Sequence, residues 1–251
     1  MQKEIKTIED LSLNAWPSHQ MQIYDSWILR FSYFYTHRTN SVEQLGPSTI
    51  PIPEKVAYCE SIYRDWGSPC IFKINPLLPP DFDELLNKKQ YEIEHVTDVM
   101  TMDIPVSKKE QCSPDVILEE DISLKWIYSL FDLKEMKNEI HKQIVPYMYR
   151  AIPKRTIAAH IEKEGRYIAT GLGILDRDYI GIYAIHVDPA YRRRHYAEGI
   201  CRSILSQAQK QGAKKAYLQV VAGNTGAKRL YQKLGFEQLY TYWFRVSPHY
   251  F

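Results

Sequence analysis

Cysteine is scarce in this chain, and so are the motifs that cysteine builds. The four cysteines among the 251 residues, Cys59, Cys70, Cys112 and Cys201, lack CxxC spacing. Such a pattern indicates neither a zinc site nor a disulfide framework. Long apolar runs are absent too, and the start, MQKEIKTIED, has no apolar core like that of a signal peptide. These absences predict a cytoplasmic protein without a metal site or a membrane partner.

An excess of charge of one sign is also missing. The 32 basic and 30 acidic residues leave a formal net charge of +2, which gives no support to a nucleic-acid binder. Hydrophobic residues make up 45% and charged residues 25% of the chain, as in soluble globular domains. A chain of 251 residues can hold one large domain or two of ordinary size.

Apolar periodicity in the second half of the chain predicts an α/β sheet domain. Helix-period apolar residues occur over 123–133 and 134–149. The predicted strands of this half cover 115–119, 156–162, 167–175, 179–188, 216–221 and 236–246. Two helices separate the last three strands; Gly212 ends the first, and the second runs from Asn224 to Gly235. A strand, helix, strand passage of this kind predicts a parallel pair in an otherwise antiparallel sheet.

The first half of the chain resembles a degenerate copy of the same plan. Its predicted elements are strands at 27–35 and 38–45, a helix at 53–66, a strand at 70–74, a helix at 82–89 and a strand at 91–102. Aligning Tyr91 with Phe236 sets LLNKKQYEIEH against LYQKLGFEQLY and places Leu86 on Tyr231.

We therefore predict two tandem units, at 1–105 and 115–251, joined by a linker at 105–114. The sequence GPSTIPIP stands in the first unit where the second has a basic turn. Without that turn and without a counterpart of Tyr231, the first unit is expected to be catalytically silent.

Two motifs between residues 185 and 235 indicate a phosphorylated ligand. The first, IHVDPAYRRRHYAEGI, runs from an apolar strand through a basic turn into a helix. A helix start offers unpaired backbone N–H groups and a partial positive charge, which suit a pyrophosphate. The second, VVAGNTGAKRLYQKLGF, carries Tyr231 inside another helix, and a phenol can donate a proton.

The pattern VxPxYRxRxxA followed by NxxAxxLYxKxGF resembles the GCN5-related N-acetyltransferases, the acetyl-CoA-dependent GNAT family, over residues 115–246. The family's turn usually reads R/Q-x-x-G-x-G/A, whereas the turn here reads RRRHYA, so His195 replaces the first glycine and Ala197 is an allowed small residue. His195 carries a Cβ where glycine lets a backbone approach its ligand closely, which bears on how the cofactor binds and not on the fold. The resemblance implies a GNAT fold: a mixed, mostly antiparallel sheet flanked by helices.

The resemblance also implies roles for individual residues. Tyr231 would be the general acid for the coenzyme A thiolate. Main-chain groups of Ile185, His186 and Val187 would pair with the pantetheine arm and polarise the thioester carbonyl. The cofactor's phosphates would be held by the turn, with Lys228 of the second motif reaching them as well; the turn residues are Arg192, Arg193, Arg194, His195, Tyr196 and Ala197. Asn224 would contact the cofactor arm or the substrate.

Each of these assignments has a plainer alternative. The basic turn can be a solvated helix cap, Tyr231 a core tyrosine, Asn224 an ordinary N-cap and Lys228 an exposed helix lysine. The general base is not identified. Tyr183 and His186 lie on the strand that would flank the acceptor amine, and because they are three residues apart on a strand we expect only one of them to face the site.

Two further segments have open interpretations. The stretch from Arg30 to Asn40 mixes aromatic and polar residues in a predicted hairpin. It can line an acceptor pocket, or it can form a sheet edge whose aromatic and polar side chains have no binding role, and we favour the edge. The aromatic final strand is expected either to form a dimer interface or to pack against the first unit.

We expect an acetyl-CoA-dependent N-acetyltransferase that moves an acetyl group by direct transfer to a primary amine of a small molecule or to a protein amino group. The alternative is a non-catalytic acyl-CoA sensor on the same scaffold, motivated by His195 and by the silent first unit. A nucleic-acid module built on the three arginines is disfavoured by the near-neutral charge. The acceptor stays open, and both a monomer and a homodimer fit the sequence.

Overall fold

The structure, a computed structural model, describes residues 1–105, 113 and 115–248. Cys112 and most of the predicted linker at 105–114 lie outside these residues. The other three cysteines are buried and free. In the part of the chain that the structure describes, no helix combines the length and the apolar character needed to cross a bilayer.

Within residues 1–105 the structure has three α-helices and five strands. In chain order these are α1 (Gln2–Ala15), β1 (Gln20–Tyr24), β2 (Trp27–Phe31), β3 (Val42–Gln44), α2 (Ile52–Asp65), β4 (Ile71–Ile74), α3 (Pro80–Lys88) and β5 (Glu92–Asp103). The predicted strands 27–35 and 38–45 are each shorter in the structure. Between β2 and β3, Tyr33, Phe34 and Thr36 all have positive φ, a conformation that a regular strand without a bulge does not accommodate.

Between residues 115 and 248 the structure has four α-helices and six strands. They are β6 (Ile117–Glu119), α4 (Leu124–Leu133), α5 (Glu139–Arg150), β7 (Arg155–Lys163), β8 (Arg166–Asp176), β9 (Tyr179–Val187), α6 (Tyr196–Lys210), β10 (Lys215–Val221), α7 (Thr225–Leu234) and β11 (Glu237–Val246). The predicted helix 134–149 begins later, because Glu135 has positive φ and the Asn138 side chain caps α5. Asn224 caps α7 by accepting from Ala227, as predicted, and Gly235 ends it at φ 102°.

All these strands form one sheet in the order β1-β2-β3-β4-β11-β5-β10-β9-β8-β7-β6. The order is nearly symmetric about its centre, where β11 and β5 pair antiparallel. Each half contributes one parallel pair, β3 with β4 and β9 with β10. The last strand of each half lies between two strands of the other half. Strand β5 pairs with β11 and β10, and β11 pairs with β4 and β5. The final strand therefore packs against the first half, one of the two alternatives that the sequence left open.

Helix α6 lies closely against the sheet. Its apolar stripe, including Ile200 and Ile204, is buried, as predicted. The contact is close because β8 carries glycine opposite the helix: a Cβ added at Gly171 would lie 2.3 Å from Ile200 Cγ2 and 2.7 Å from Ile185 Cδ1. Helix α4 covers the other face, and its Trp126 indole donates to the Ala159 carbonyl at 3.0 Å. This packing fixes β8 and β9, on which the candidate site is built.

Candidate active site

Strands β9 and β10 separate towards their carboxyl ends. They pair in parallel only from Tyr179–Ile182 against Lys215–Leu218. Beyond Ile182, β9 keeps its pairing with β8 while β10 keeps its pairing with β5. The strands therefore open into a cleft of about 740 Å³. Between Tyr183 and Val187, the main chain of β9 has no register partner on the β10 side.

A β-bulge at Ala184 changes which side chains face this cleft. Residues 170 to 172 of β8 lie opposite residues 183 to 186 of β9, so β9 holds one extra residue there, and Ala184 has a φ of 50°. Because of the extra residue, Tyr183 and His186 lie opposite Leu172 and Thr170, two residues apart on β8, and so point to the same face of the sheet. Both Tyr183 and His186 line the cleft as a result. The expectation that only one of them faces the site is wrong, because it assumed an unbroken strand.

The basic turn between β9 and α6 presents unpaired backbone N–H groups. In the part of the chain described, no hydrogen bond uses the N–H groups of 193–198, and no side chain caps α6. Arg193 and His195 both have positive φ, at 62° and 60°. An alternation of this kind turns successive N–H groups towards one side and forms an anion-binding concavity. The turn borders a second opening of about 480 Å³, which shares Val187, Arg192, Ala197 and Leu230 with the cleft.

His195 adopts the left-handed conformation that glycine favours at this position. Its ring Nδ1 lies 3.1 Å from Glu198 Oε2, and 79% of its side chain is exposed. Glu198 also pairs with Lys233 at 2.8 Å and with Arg202 at 3.2 Å. These partners, Lys233 first, lower the pKa of Glu198 to about 2. The one acid at the helix start is therefore surrounded by cations, which offset its repulsion of an anion.

Tyr231 lies on α7 and lines the cleft opposite β9. It is 9% exposed. Burial raises the pKa of its phenol above the ordinary value, with a smaller contribution from Cys201. The hydroxyl therefore keeps its proton at neutral pH and can donate it.

The other predicted cofactor residues divide into three groups. Ile185, His186, Val187, Arg192, Ala197 and Asn224 line the cleft, and Arg193, His195 and Tyr196 border the turn opening. Arg194 and Lys228 line neither. The guanidinium of Arg194 lies 5.3 Å from the centre of the Tyr191 ring, and Lys228 pairs with Asp98.

Comparison with known proteins agrees with this geometry. The sequence matches a protein-family model described as "Probable histone acetyltransferase Rv0428c C-terminal" over residues 2–244. The chain belongs to this family. A curated relative, the uncharacterized N-acetyltransferase YobR of Bacillus subtilis strain 168, is 26% identical over 247 residues, which cover 97% of this chain and 99% of the relative. The protein is thus an acyltransferase of the GNAT type.

Two solved structures share the fold. A GCN5-related N-acetyltransferase from Kribbella flavida superposes with a TM-score of 0.70 at 14% identity, covering 98% of this chain and 95% of the other. A tandem GNAT protein from the clavulanic acid biosynthesis pathway superposes with a TM-score of 0.64 at 10% identity, covering 83% and 75%. At such identities the likeness concerns the fold, and it confirms the predicted GNAT fold.

A smaller cavity of about 190 Å³ adjoins the GNAT cleft, with which it shares Arg38, Tyr183, Ala184, His186 and Gln219. Its walls come from both halves of the chain. The first half supplies Ser12, Ala15, Trp16, Tyr35, Thr36 and Arg38, and the second supplies Lys134, Tyr149, Leu172 and Ile174. The segment from Arg30 to Asn40 therefore lines a cavity, and the expectation that it only forms a sheet edge is wrong.

Sequence reasoning missed most of this cavity. Its wall forms where α1 and the loop before β3 meet α5 and the residue that follows α4, and the two pairs lie far apart in the chain. The mixed aromatic and polar composition of the segment from Arg30 to Asn40 was the available signal. It did not reveal which side chains turn inward, because that depends on the positive φ values of the loop.

One cluster among the described residues has the chemistry of a metal site. The ligand atoms of His37, Glu94 and His95 lie within 4.8 Å of one another. None of the three lines the cleft or the smaller cavity.

Proposed function

We propose that this GNAT protein transfers an acetyl group from acetyl-CoA to the primary amine of a small molecule. One observation carries the proposal: a turn with unpaired backbone N–H groups leads directly into a cleft that ends at a protonated tyrosine. A phosphorylated carrier would be held at the turn, and its thioester would supply the acetyl group.

The residues present fit coenzyme A. The N–H groups of 193–198 lie at the start of a helix and can bind a pyrophosphate. Arg192 and Arg193, which border the opening, add charge-assisted hydrogen bonds. The unpaired main chain of β9 offers hydrogen bonds to a polar arm laid between the separated strands.

The bulge on β9 contributes to the chemistry. A strand that has lost one neighbour exposes backbone N–H groups, and rigid donors of this kind stabilise negative charge that develops on a carbonyl oxygen. Between Tyr183 and Val187 the β9 main chain has no partner on the β10 side, so the N–H groups there that β8 does not use would be available to the thioester carbonyl. Backbone donors require no particular side chain, so the sequence alone does not reveal which residues polarise the carbonyl.

Transfer forms a nitrogen to carbon bond and breaks the carbon to sulfur bond of the thioester. The departing sulfur needs a proton, which Tyr231 holds at its Oη. The cleft favours the neutral amine because its charged side chains are cations. As the amide forms, the nitrogen gives up one proton to solvent and solvent returns one to Tyr231, so the transfer gains and loses no net proton. Burial, then Lys134 and Arg192, lower the pKa of His186 to about 4. Its ring is therefore neutral at pH 7 and can accept a hydrogen bond from the amine.

The test is turnover. Purified full-length protein is incubated with acetyl-CoA and a panel of amines, and free thiol is followed together with mass detection of the acetylated product. We expect amine-dependent thiol release that Tyr231→Phe reduces and Tyr147→Phe does not, since Tyr147 is exposed and lines neither cavity. Tight coenzyme A binding without turnover of any amine would contradict the proposal and would favour a sensor.

A further inference from the structure

The cavity beside the cleft carries cations and no carboxylate. Arg38 and Lys134 line the cavity, and Arg192 lies in the adjoining cleft. No aspartate or glutamate stands among the described residues that line either space. A polyamine would bring further positive charge to such a site, and like charges at close range repel.

The nearby acid Glu43 does not neutralise these cations. Its charge acts on Arg38, yet it is buried and pairs with Arg30 at 3.2 Å and with Lys73 at 3.3 Å. Two buried cations therefore already engage Glu43, and the positive charge of the cavity is left for a ligand.

Arg38 is held so that the end of its side chain stays available. Its Nε donates to Tyr242 Oη at 2.7 Å. Its carbonyl accepts from Nη1 of the buried Arg30 at 2.7 Å, and Arg30 also donates to the Trp16 carbonyl. In the described part of the chain no hydrogen bond or ion pair uses Nη1 or Nη2 of Arg38, whose one side-chain bond is that to Tyr242. A fixed guanidinium that offers both terminal nitrogens can bind a carboxylate with two parallel hydrogen bonds.

The loop that delivers Arg38 is strained. Tyr33, Phe34 and Thr36 have φ values of 49°, 62° and 68°. Buried Asn40 maintains this conformation by accepting from the Phe34 N–H at 3.0 Å. Non-glycine residues with positive φ persist where the surrounding structure enforces them, and they concentrate at functional sites.

Most of the remaining cavity wall is apolar and aromatic. This part consists of Ala15, Trp16, Tyr35, Tyr149, Leu172 and Ile174, while Ser12, Thr36 and Gln219 add neutral polar groups and Lys134 is exposed at the rim. The volume, about 190 Å³, is below the range of roughly 300–1,000 Å³ found for drug-sized ligands. The cavity therefore suits a small molecule that presents an apolar group as well as a charge.

We propose that the acceptor is a small amine that carries a carboxylate beside an apolar side chain, as an amino acid does, and that the free end of Arg38 binds this carboxylate. The inference rests on the proposed acetyl transfer. Lys134 adds attraction at the rim, and the apolar wall receives the side chain. The amine then lies in the shared part of the two spaces, beside Tyr183 and His186.

The test compares matched acceptors. Leucine, leucinamide and isopentylamine share a side chain, as do phenylalanine, phenylalaninamide and phenethylamine. We expect kcat/KM for the amino acid to exceed that of its amide and its decarboxylated amine by about tenfold or more, the value of one charge-assisted bidentate contact. Arg38→Gln should lower kcat/KM for the amino acid by about tenfold or more and leave that for the amide within about threefold. Arg155→Gln, at an exposed arginine that lines neither space, is the matched control.

Several results would overturn the assignment. Equal or faster turnover of the amide or the decarboxylated amine by the unmodified protein would do so while leaving the acetyl transfer intact. So would faster turnover of 2-aminoethyl phosphate than of every amino acid. An equal loss for amino acid and amide in Arg38→Gln, with coenzyme A affinity and melting temperature unchanged, would show that Arg38 only positions its neighbours. Absence of thiol release with any amine would overturn both proposals together.

Discussion

The two parallel strand pairs of this sheet end in contrasting ways. In the second half, the N–H groups before α6 are unpaired and the strands open into a cleft. In the first half, the Asp25 carboxylate accepts from the N–H groups of Thr49 and Ile50 at 2.9 Å each, just before α2. Lys55, which is fully buried, pairs with the same carboxylate at 3.3 Å.

An internal carboxylate thus occupies, in the first half, the position that a phosphate would occupy in the second. The hydrogen bond from Ile50 and those from Thr49 hold the pKa of Asp25 well below its usual range. The first half therefore differs from the second by more than the absence of a basic turn. In the first half, the Asp25 carboxylate already binds these N–H groups. The first half instead contributes side chains to the wall of the cavity beside the cleft.

The largest expected effect concerns Tyr231, whose counterpart in the first half is the buried Leu86. Tyr231→Phe removes the proton donor and should lower kcat by about 100-fold, since general acid catalysis contributes a factor of this order. Coenzyme A affinity by calorimetry should change little. Retention of full kcat would contradict the assignment of this phenol.

Asp25→Asn should destabilise the first half strongly. The change removes a charged acceptor from two backbone N–H groups and leaves the Lys55 ammonium without its counter-ion, and a buried charge that loses its partner is costly. We expect a lower urea midpoint with unchanged coenzyme A affinity in the protein that remains folded. Asp10→Asn, at a half-buried surface ion pair, is the control and should shift the midpoint much less. A coenzyme A affinity that fell in parallel would contradict the separation of the two sites.

Arg192→Ala should weaken coenzyme A binding by about tenfold, the worth of one charge-assisted hydrogen bond. Arg194→Ala makes the same change of charge in the same turn, but Arg194 lies against Tyr191 and lines neither opening. Calorimetry at fixed salt compares the two variants. Equal losses would show that only net charge matters, and the geometry of the turn would then have no part in the affinity.

Acid should destabilise the cleft side before it affects Asp25. The pKa of His186 is about 4 when folded and 6.5 when unfolded, so as pH falls from 6.5 to 4 the unfolded chain takes up a proton that the folded chain refuses. This contribution to stability is present above pH 6.5 and is lost over that interval. Asp25, whose pKa is lowered, contributes only to losses at still lower pH. Urea midpoints measured across this range should fall less steeply in His186→Gln; an unchanged slope would contradict the shift.

His195→Gly should have the smallest effect. Glycine adopts the left-handed conformation without a Cβ penalty, while it also raises the entropy of the unfolded chain, so stability should stay within about 1 kcal/mol. Coenzyme A affinity should stay equal or rise by up to about threefold, because backbone and ligand can approach more closely. A tenfold loss would mean that the imidazole itself contacts the phosphates.

Much of this molecule follows from local sequence. Asn224 and Gly235 fix the ends of α7, and the apolar stripe of α6 marks its buried face. The alignment of Tyr91 with Phe236 anticipated that β5 and β11 are equivalent strands, which lie side by side at the sheet centre. These features depend on contacts within one element or on a repeat, and both leave a pattern in the sequence.

The remainder depends on contacts between distant segments. Helix α1 was not predicted, although its buried Ile5, Ile8 and Leu11 recur at helical spacing. The bulge at Ala184 was missed because nothing in the sequence marks a non-glycine residue that will adopt positive φ. Arg38 meets the cleft only because the two halves exchange strands, and its partner Tyr242 lies 204 residues away in the chain.

Amide hydrogen exchange with and without coenzyme A tests the contrast between the two halves most directly. We expect coenzyme A to slow exchange in the peptide that contains 193–198 and to leave the peptide that contains Thr49 and Ile50 unchanged, because Asp25 already occupies those N–H groups. Slowed exchange at Thr49 and Ile50, or no change at 193–198 under saturating coenzyme A, would contradict the account.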